Sequence, residues 1–211
     1  GTILYYYCKG GIIVMAFNNN NNFGNSNNGQ GGEKKRTNFP VGDKIWGQES
    51  VLTVGVWVSN TGVKAIIRAK QIVGKDPSTG ASVLEQKMSG DLPSFFIDTV
   101  YLNALITAME SCQDPGSINI VMDKGNGSKF SMIGQGSTIK ITIEHPKTGT
   151  RTCTLDSISV NNKNIHARFN VLLKYLQIAY KKALFNKLDP EEFAMVGAPT
   201  EESGNDEDVP F

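Results

Sequence analysis

The sequence predicts an α+β fold made of two antiparallel units, each of four strands followed by one helix. Two observations predict it. Short segments with a two-residue apolar alternation, divided by Gly- and Pro-containing turns, fill residues 51 to 89 and 117 to 160. Each run then gives way to apolar residues recurring at three and four, from 94 to 112 and from 161 to 188. Helices backing one side of an antiparallel sheet leave its other side open to solvent or a ligand.

The elements follow in order. "GDKIWG" (42 to 47) opens the ordered part, and "VLTVGVWVSN" (51 to 60) sets Val54, Val56 and Val58 on one side against Thr53, Gly55 and Trp57 on the other. Thr61-Gly62 turns the chain into "VKAIIRAKQIV" (63 to 73). There Lys64, Ile66, Arg68 and Lys70 share one parity and Val63, Ala65, Ile67 and Ala69 the other. Beyond the turn signal "KDPSTG" (75 to 80), "SVLEQKMS" (82 to 89) reads as a further strand. Phe95, Phe96, Val100, Leu102, Leu105, Ile106 and Met109 then form a helical stripe, with Ser94 as N-cap and "QDPG" (113 to 116) as its close.

The second unit reads as strands at 117 to 125, 128 to 134, 137 to 146 and 150 to 160. The clearest alternates Ile139, Ile141 and Ile143 with Thr138, Lys140, Thr142 and Glu144. Residues 161 to 188 give a long helix with Ile165, Phe169, Leu172, Leu173, Leu176, Tyr180 and Leu184 as its stripe, and Asn161 or Asn162 as cap. The halves share this order of elements but no detectable residue identity.

Charge divides the chain more sharply than its net value of +1 suggests. Asp189 to Phe211 holds eight acids and no Lys or Arg, which leaves residues 1 to 188 with 21 bases against 12 acids, a net +9. A basic body with an acidic tail predicts a polyanionic ligand for the body, and a tail that competes with that ligand or reaches another protein. The domain reading is therefore a disordered leader and Asn/Gly-rich arm at 1 to 41, a binding domain at 42 to 188, and a disordered acidic tail at 189 to 211. Within the leader, Lys9-Gly10-Gly11 can be encoded as a bacterial ribosome-binding sequence. This predicts Met15 as the native start, preceded by translated leader. After the arm, Lys34-Lys35-Arg36 forms a small basic cluster.

No catalytic constellation is present, so the chain reads as a non-enzyme with no cofactor and no metal. Cys8, Cys112 and Cys153 are odd in number and lack metal-ligand or CxxC spacing, which suits a reducing cytoplasm. No stretch reaches the ~18 apolar residues of a membrane span. His145 and His166 have no motif-spaced partner and read as structural or solvated, and "GNGSKFSMIGQG" (125 to 136) lacks the Walker lysine spacing and reads as hairpin turns.

What remains is single-stranded nucleic-acid binding, which needs cations along a groove and rings on which bases stack. The candidates are Trp46, Trp57, Lys64, Arg68, Lys70, Lys129 and Lys140, with Phe130 read as core. The ending "DEDVPF" (206 to 211) adds a resemblance. It is similar to the C-terminal tip of bacterial and phage single-stranded DNA-binding proteins, acids followed by a hydrophobic residue, Pro and Phe. That resemblance implies single-stranded DNA as ligand. It also implies a partner-binding tip of Asp206, Glu207, Asp208, Val209, Pro210 and Phe211, in which Phe211 anchors replication or repair proteins, Pro210 restricts the backbone, and the three acids steer. The body departs from that family's OB-fold of five strands and one helix. Its twice-repeated order resembles the Whirly and PC4-like single-stranded DNA-binding proteins instead, with an elaborated OB-fold as the alternative. The expectation is a sequence-tolerant, homo-oligomeric single-stranded DNA-binding protein of a bacterial or phage-infected cytoplasm, acting in replication, recombination or repair. An RNA-binding module or an adaptor that binds no nucleic acid are the other readings.

Overall fold

Strand-period alternation dominates: among the residues described by the computed structural model, 2–8, 11–17, 44–59 and 61–188, there are thirteen strands and two α-helices. The class is α+β and the strand pairs are antiparallel. β1 (Thr2–Cys8) and β2 (Gly11–Phe17) form a hairpin, followed by β3 (Ile45–Trp46), β4 (Ser50–Ser59), β5 (Gly62–Lys75), β6 (Ser82–Leu84) and β7 (Ser94–Ile97). Helix α1 (Thr99–Glu110) comes next. Then follow β8 (Asn119–Asp123), β9 (Lys129–Gln135), β10 (Thr138–His145), β11 (Gly149–Asp156), β12 (Ile158–Val160), β13 (Lys163–Ile165) and α2 (Ala167–Leu188).

One sheet runs β3-β4-β5-β6, with β7 pairing a second stretch of β5. The fourteen residues of β5 let β7 and β6 share one edge in turn: Ala65 to Arg68 face β7, and Ile72 to Lys75 face β6 across a register shift. The other main sheet runs β11-β10-β9-β8-β1-β2, and β12 and β13 stand apart as a hairpin. Both sheets turn their apolar parity inward. Leu52, Val54, Val56, Val63, Ala65 and Ile67 from one meet Ile120, Met122, Phe130, Met132, Ile139, Ile141 and Ile143 from the other in a single core. Leu102, Leu105 and Met109 of α1, and Phe169, Leu172 and Leu176 of α2, complete it.

Several elements differ from the sequence reading. Residues 94 to 97 are strand rather than helix start, because Phe95 and Phe96 pair with Ile67 and Ile66 on β5. The helix begins at Thr99, with Asp98, not Ser94, at its N-cap position. Residues 161 and 162 cap nothing. Asn161 (φ 49) and Asn162 (φ 60) are both left-handed, as a two-residue hairpin turn requires, so β12 and β13 form where the helix start was expected. The strand expected over 82 to 89 stops at Leu84, because Glu85 turns inward to meet Arg151. Residues 2–8 and 11–17, read as part of a disordered leader, are two strands, β1 pairing with β8. The arm, Lys34 to Arg36 and the acidic tail lie outside the described residues.

Among the contacts between the sheets are an ion pair and a close approach. Arg151 on β11 donates from Nη2 to Glu85 Oε2 at 2.9 Å and from Nε to Oε1 at 3.2 Å, while the Gln71 N–H also donates to Oε1 at 2.8 Å. Glu85 is 8% exposed, so the bidentate pair is shielded from solvent. The close approach is at Gly47. Its missing side chain leaves room for Cys153 Sγ and the Thr154 carbonyl, which a Cβ there would strike.

Candidate nucleic-acid interface

The outward parity of β4 and β5 is decided by their register. Val51 lies opposite Lys70, Thr53 opposite Arg68, Gly55 opposite Ile66 and Trp57 opposite Lys64. Paired residues point to the same face, so Trp57, Lys64, Arg68 and Lys70 stand together, opposite the core-facing Val54, Val56, Ala65 and Ile67. Trp46 on β3 lies opposite Val51 and extends the same face at one end. Five of the seven sequence-derived candidates thus share one surface.

β7 adds a ring that the helical reading of 94 to 97 had hidden. Phe96 lies opposite Ile66, is 50% exposed, and meets Trp57 edge to face with centroids 6.4 Å apart. Val51 and Ile66 are only 1% and 3% exposed although they lie on this outward face and outside the core cluster. The face is therefore a line of cations along β5, flanked by Trp57 and Phe96 at one end and Trp46 at the other.

Arg68 sits at its middle. Its Nε donates to Ser94 Oγ at 3.3 Å, and the Ser94 hydroxyl in turn donates to the Leu92 carbonyl at 2.9 Å. This relay orients the guanidinium, and none of the described carboxylates is within ion-pair distance of it. Partial burial lowers its pKa, yet a guanidinium remains charged at any ordinary pH. Lys64 is more restrained: its Nζ lies 3.9 Å from Asp98. The neighbouring Lys124 has its pKa lowered by burial, with Asp98 opposing and Lys64 adding to the shift, and its Nζ rests 5.1 Å from the Phe95 ring.

Lys129 and Lys140 stand elsewhere, on the outer face of the β8–β11 sheet. Lys129 lies opposite Glu144 on β10 and Asp123 on β8, so acids neighbour it on both sides. Lys140 lies opposite Thr154, whose N–H and hydroxyl donate to Glu49 at 2.8 and 2.7 Å. Burial works to raise the Glu49 pKa, but those two bonds and the charge of Lys140 bring it below the ordinary value. Phe130 is fully buried against Phe95, with centroids 5.8 Å apart.

Other sequence features have structural roles. His145 Nδ1 accepts from the Lys147 and Thr148 N–H groups at 3.3 Å each and closes the β10–β11 turn. His166 is buried at the start of α2, and its carbonyl accepts from the Asn170 N–H. In the Gly-rich stretch 125 to 136, Gly134 lies against the backbone of Pro115 and Gly116, its N–H donating to the Ile118 carbonyl at 2.6 Å. Cys153 is buried and donates to the Ser50 carbonyl at 3.2 Å; burial, then the charge of Glu49, pushes its pKa up to about 12. Its thiol is therefore inert at neutral pH. Among the described residues no cluster of His, Cys, Asp or Glu could hold a metal ion, and no helix is long and apolar enough to cross a membrane.

Comparison of the chain with protein-family models, curated proteins and solved structures finds no match.

Proposed function

We propose that the protein binds single-stranded DNA, without sequence preference, on the outward face of β4, β5 and β7. One observation carries this reading: half-buried Trp57 and exposed Phe96 stand beside Lys64, Arg68 and Lys70 on one strand-built surface. Rings stack on any base and cations neutralise any phosphate, so such a face takes a flexible strand and ignores its sequence. A duplex hides the base faces that the rings would meet.

The finer topology belongs to the same proposal. The repeat of four strands and a helix, which resembles the Whirly and PC4-like proteins, is proposed as the common plan behind the seven strands that precede α1 and the six between α1 and α2. Asp206 to Phe211, by its resemblance to the tip of bacterial and phage single-stranded DNA-binding proteins, recruits replication or repair partners. Assembly into a homo-oligomer in a bacterial or phage-infected cytoplasm would align several such faces along one strand. Tryptophan fluorescence titrated with oligo-dT at two salt concentrations tests the binding. Quenching that weakens with salt is expected; no change at either salt would favour the adaptor reading. Competition with oligo-U separates DNA from RNA, and tight duplex binding with none to single strands would sink the proposal.

A further inference from the structure

The turn between β8 and β9 carries a cation that belongs to one sheet by chain and to the other by position. Gly125 (φ 69) and Gly127 (φ 83) take left-handed conformations there, and three hydrogen bonds fix the turn around them. The Lys124 N–H donates to the Ser128 carbonyl at 3.1 Å, the Gly125 N–H to Asp123 Oδ1 at 2.8 Å, and the Ser128 N–H to Asn126 Oδ1 at 3.1 Å. Lys124 is thereby anchored on the β8–β11 sheet. Its Nζ nevertheless rests 5.1 Å from the ring of Phe95 on β7, the strand that also carries Phe96.

The charges around it do not balance. Lys124 is half-buried, and the charges that act on it are those of Asp98 and Lys64. Asp98 lies 3.9 Å from Lys64 Nζ, and none of the described carboxylates is within ion-pair distance of Lys124. Two ammonium groups therefore share one carboxylate, itself more than half exposed. Asp98 stands at the N-cap position of α1 yet makes no side-chain bond to the helix, so its carboxylate serves Lys64 instead of the helix start. Bringing two like charges together where water is partly excluded costs free energy unless an anion completes the cluster.

The neighbouring face decides which anion that is. Lys64 lies opposite Trp57, and Phe95 adjoins Phe96, so the cluster borders the ring pair on its β7 side. A base stacked on those rings carries a phosphate within one nucleotide's length, and a strand laid along Lys70 and Arg68 brings its next phosphate there. We infer that Lys64 and Lys124 form a phosphate subsite at the ring end of the face, with Lys124 a strand-contacting residue supplied by the other sheet. The inference rests on the single-stranded DNA reading of β4, β5 and β7. It extends the path of the strand past β7 to the β8–β9 turn.

The unaltered full chain is acetylated with a limiting amine-reactive ester, with and without saturating oligo-dT, and the reactivity of each lysine is read by mass spectrometry. Lys64, Lys70 and Lys124 should become several-fold less reactive on binding, while Lys129 and Lys140 stay as they were. Protection of Lys64 and Lys70 without Lys124 would overturn the subsite and leave the binding reading standing. No binding of oligo-dT at all would overturn the reading, and the subsite with it. A second measurement separates contact from packing. Lys124→Gln should weaken oligo-dT binding on the order of tenfold and lower the slope of log affinity against log salt by about 1, with Lys124→Arg restoring both. Unchanged affinity, or a loss of affinity at unchanged salt slope, would reduce Lys124 to packing on Phe95 and overturn the assignment.

Discussion

The two sheets carry similar numbers of cations outward and differ in what surrounds them. On β4, β5 and β7, Arg68 and Lys70 have no described carboxylate within ion-pair distance, and half-buried Trp57 with exposed Phe96 flanks the line. On β8 to β11, Lys129 lies between Glu144 and Asp123, and Lys140 stands near Glu49 across a surface of threonines. A base count alone would rate the faces alike. Neighbours across the strands decide which cations can serve a polyanion, because a phosphate must compete with any carboxylate already there.

The sharpest way to break the comparison is Arg68→Glu. A charge-assisted hydrogen bond to phosphate contributes about 1.5–3 kcal/mol, and reversal adds repulsion, so affinity for oligo-dT should fall on the order of 100-fold. Arg68→Gln should cost less and lower the slope of log affinity against log salt by about 1. Trp57→Ala and Phe96→Ala each remove a stacking ring and should cost about 1–3 kcal/mol at every sequence, with Trp57→Phe recovering most of it. Titration at fixed salt against oligonucleotides of different composition measures both effects. A loss confined to one composition would refute the stacking role.

A middle-sized effect probes the link between the sheets. Glu85→Gln removes the charge from the bidentate pair with Arg151 and should destabilise the fold by about 2 kcal/mol, read from denaturant midpoints. The same pair predicts a pH dependence. The hydrogen bond from Arg151 holds the Glu85 carboxyl at about 2, below its ordinary 4.5. Its folded pKa is thus depressed, and the pair's contribution is complete above about pH 4.5 and is lost as pH falls toward 2. Glu85→Gln should flatten the stability profile in that window and leave neutral-pH affinity unchanged. The smallest effects belong to the other sheet: Lys129→Ala and Lys140→Ala should each change oligo-dT affinity by less than about twofold.

The parity of β4 and β5 was legible because each has one buried and one open face, and a period of two then sorts Trp57, Lys64, Arg68 and Lys70 onto one side. Phe96 was not legible. A four-residue strand running almost directly into a helix has too little period of its own, and its apolar residues join the stripe of the helix that follows. Asn161 and Asn162 misled for a related reason, since the residue types that cap helices also suit left-handed turns.

By itself, then, the sequence determined the α+β class, the choice of outward side chains on β4, β5 and β10, and the division into a +9 body and a tail of eight acids. These are local periods and sums, which the chain carries without folding. Tertiary structure alone decided that β7 pairs with β5 and brings Phe96 to Trp57, that Lys129 and Lys140 stand apart, and that α2 leaves Val171, Ile178 and Phe185 uncovered. Those outcomes depend on contacts between residues some thirty to a hundred positions apart, and only closing the core selects which of them form.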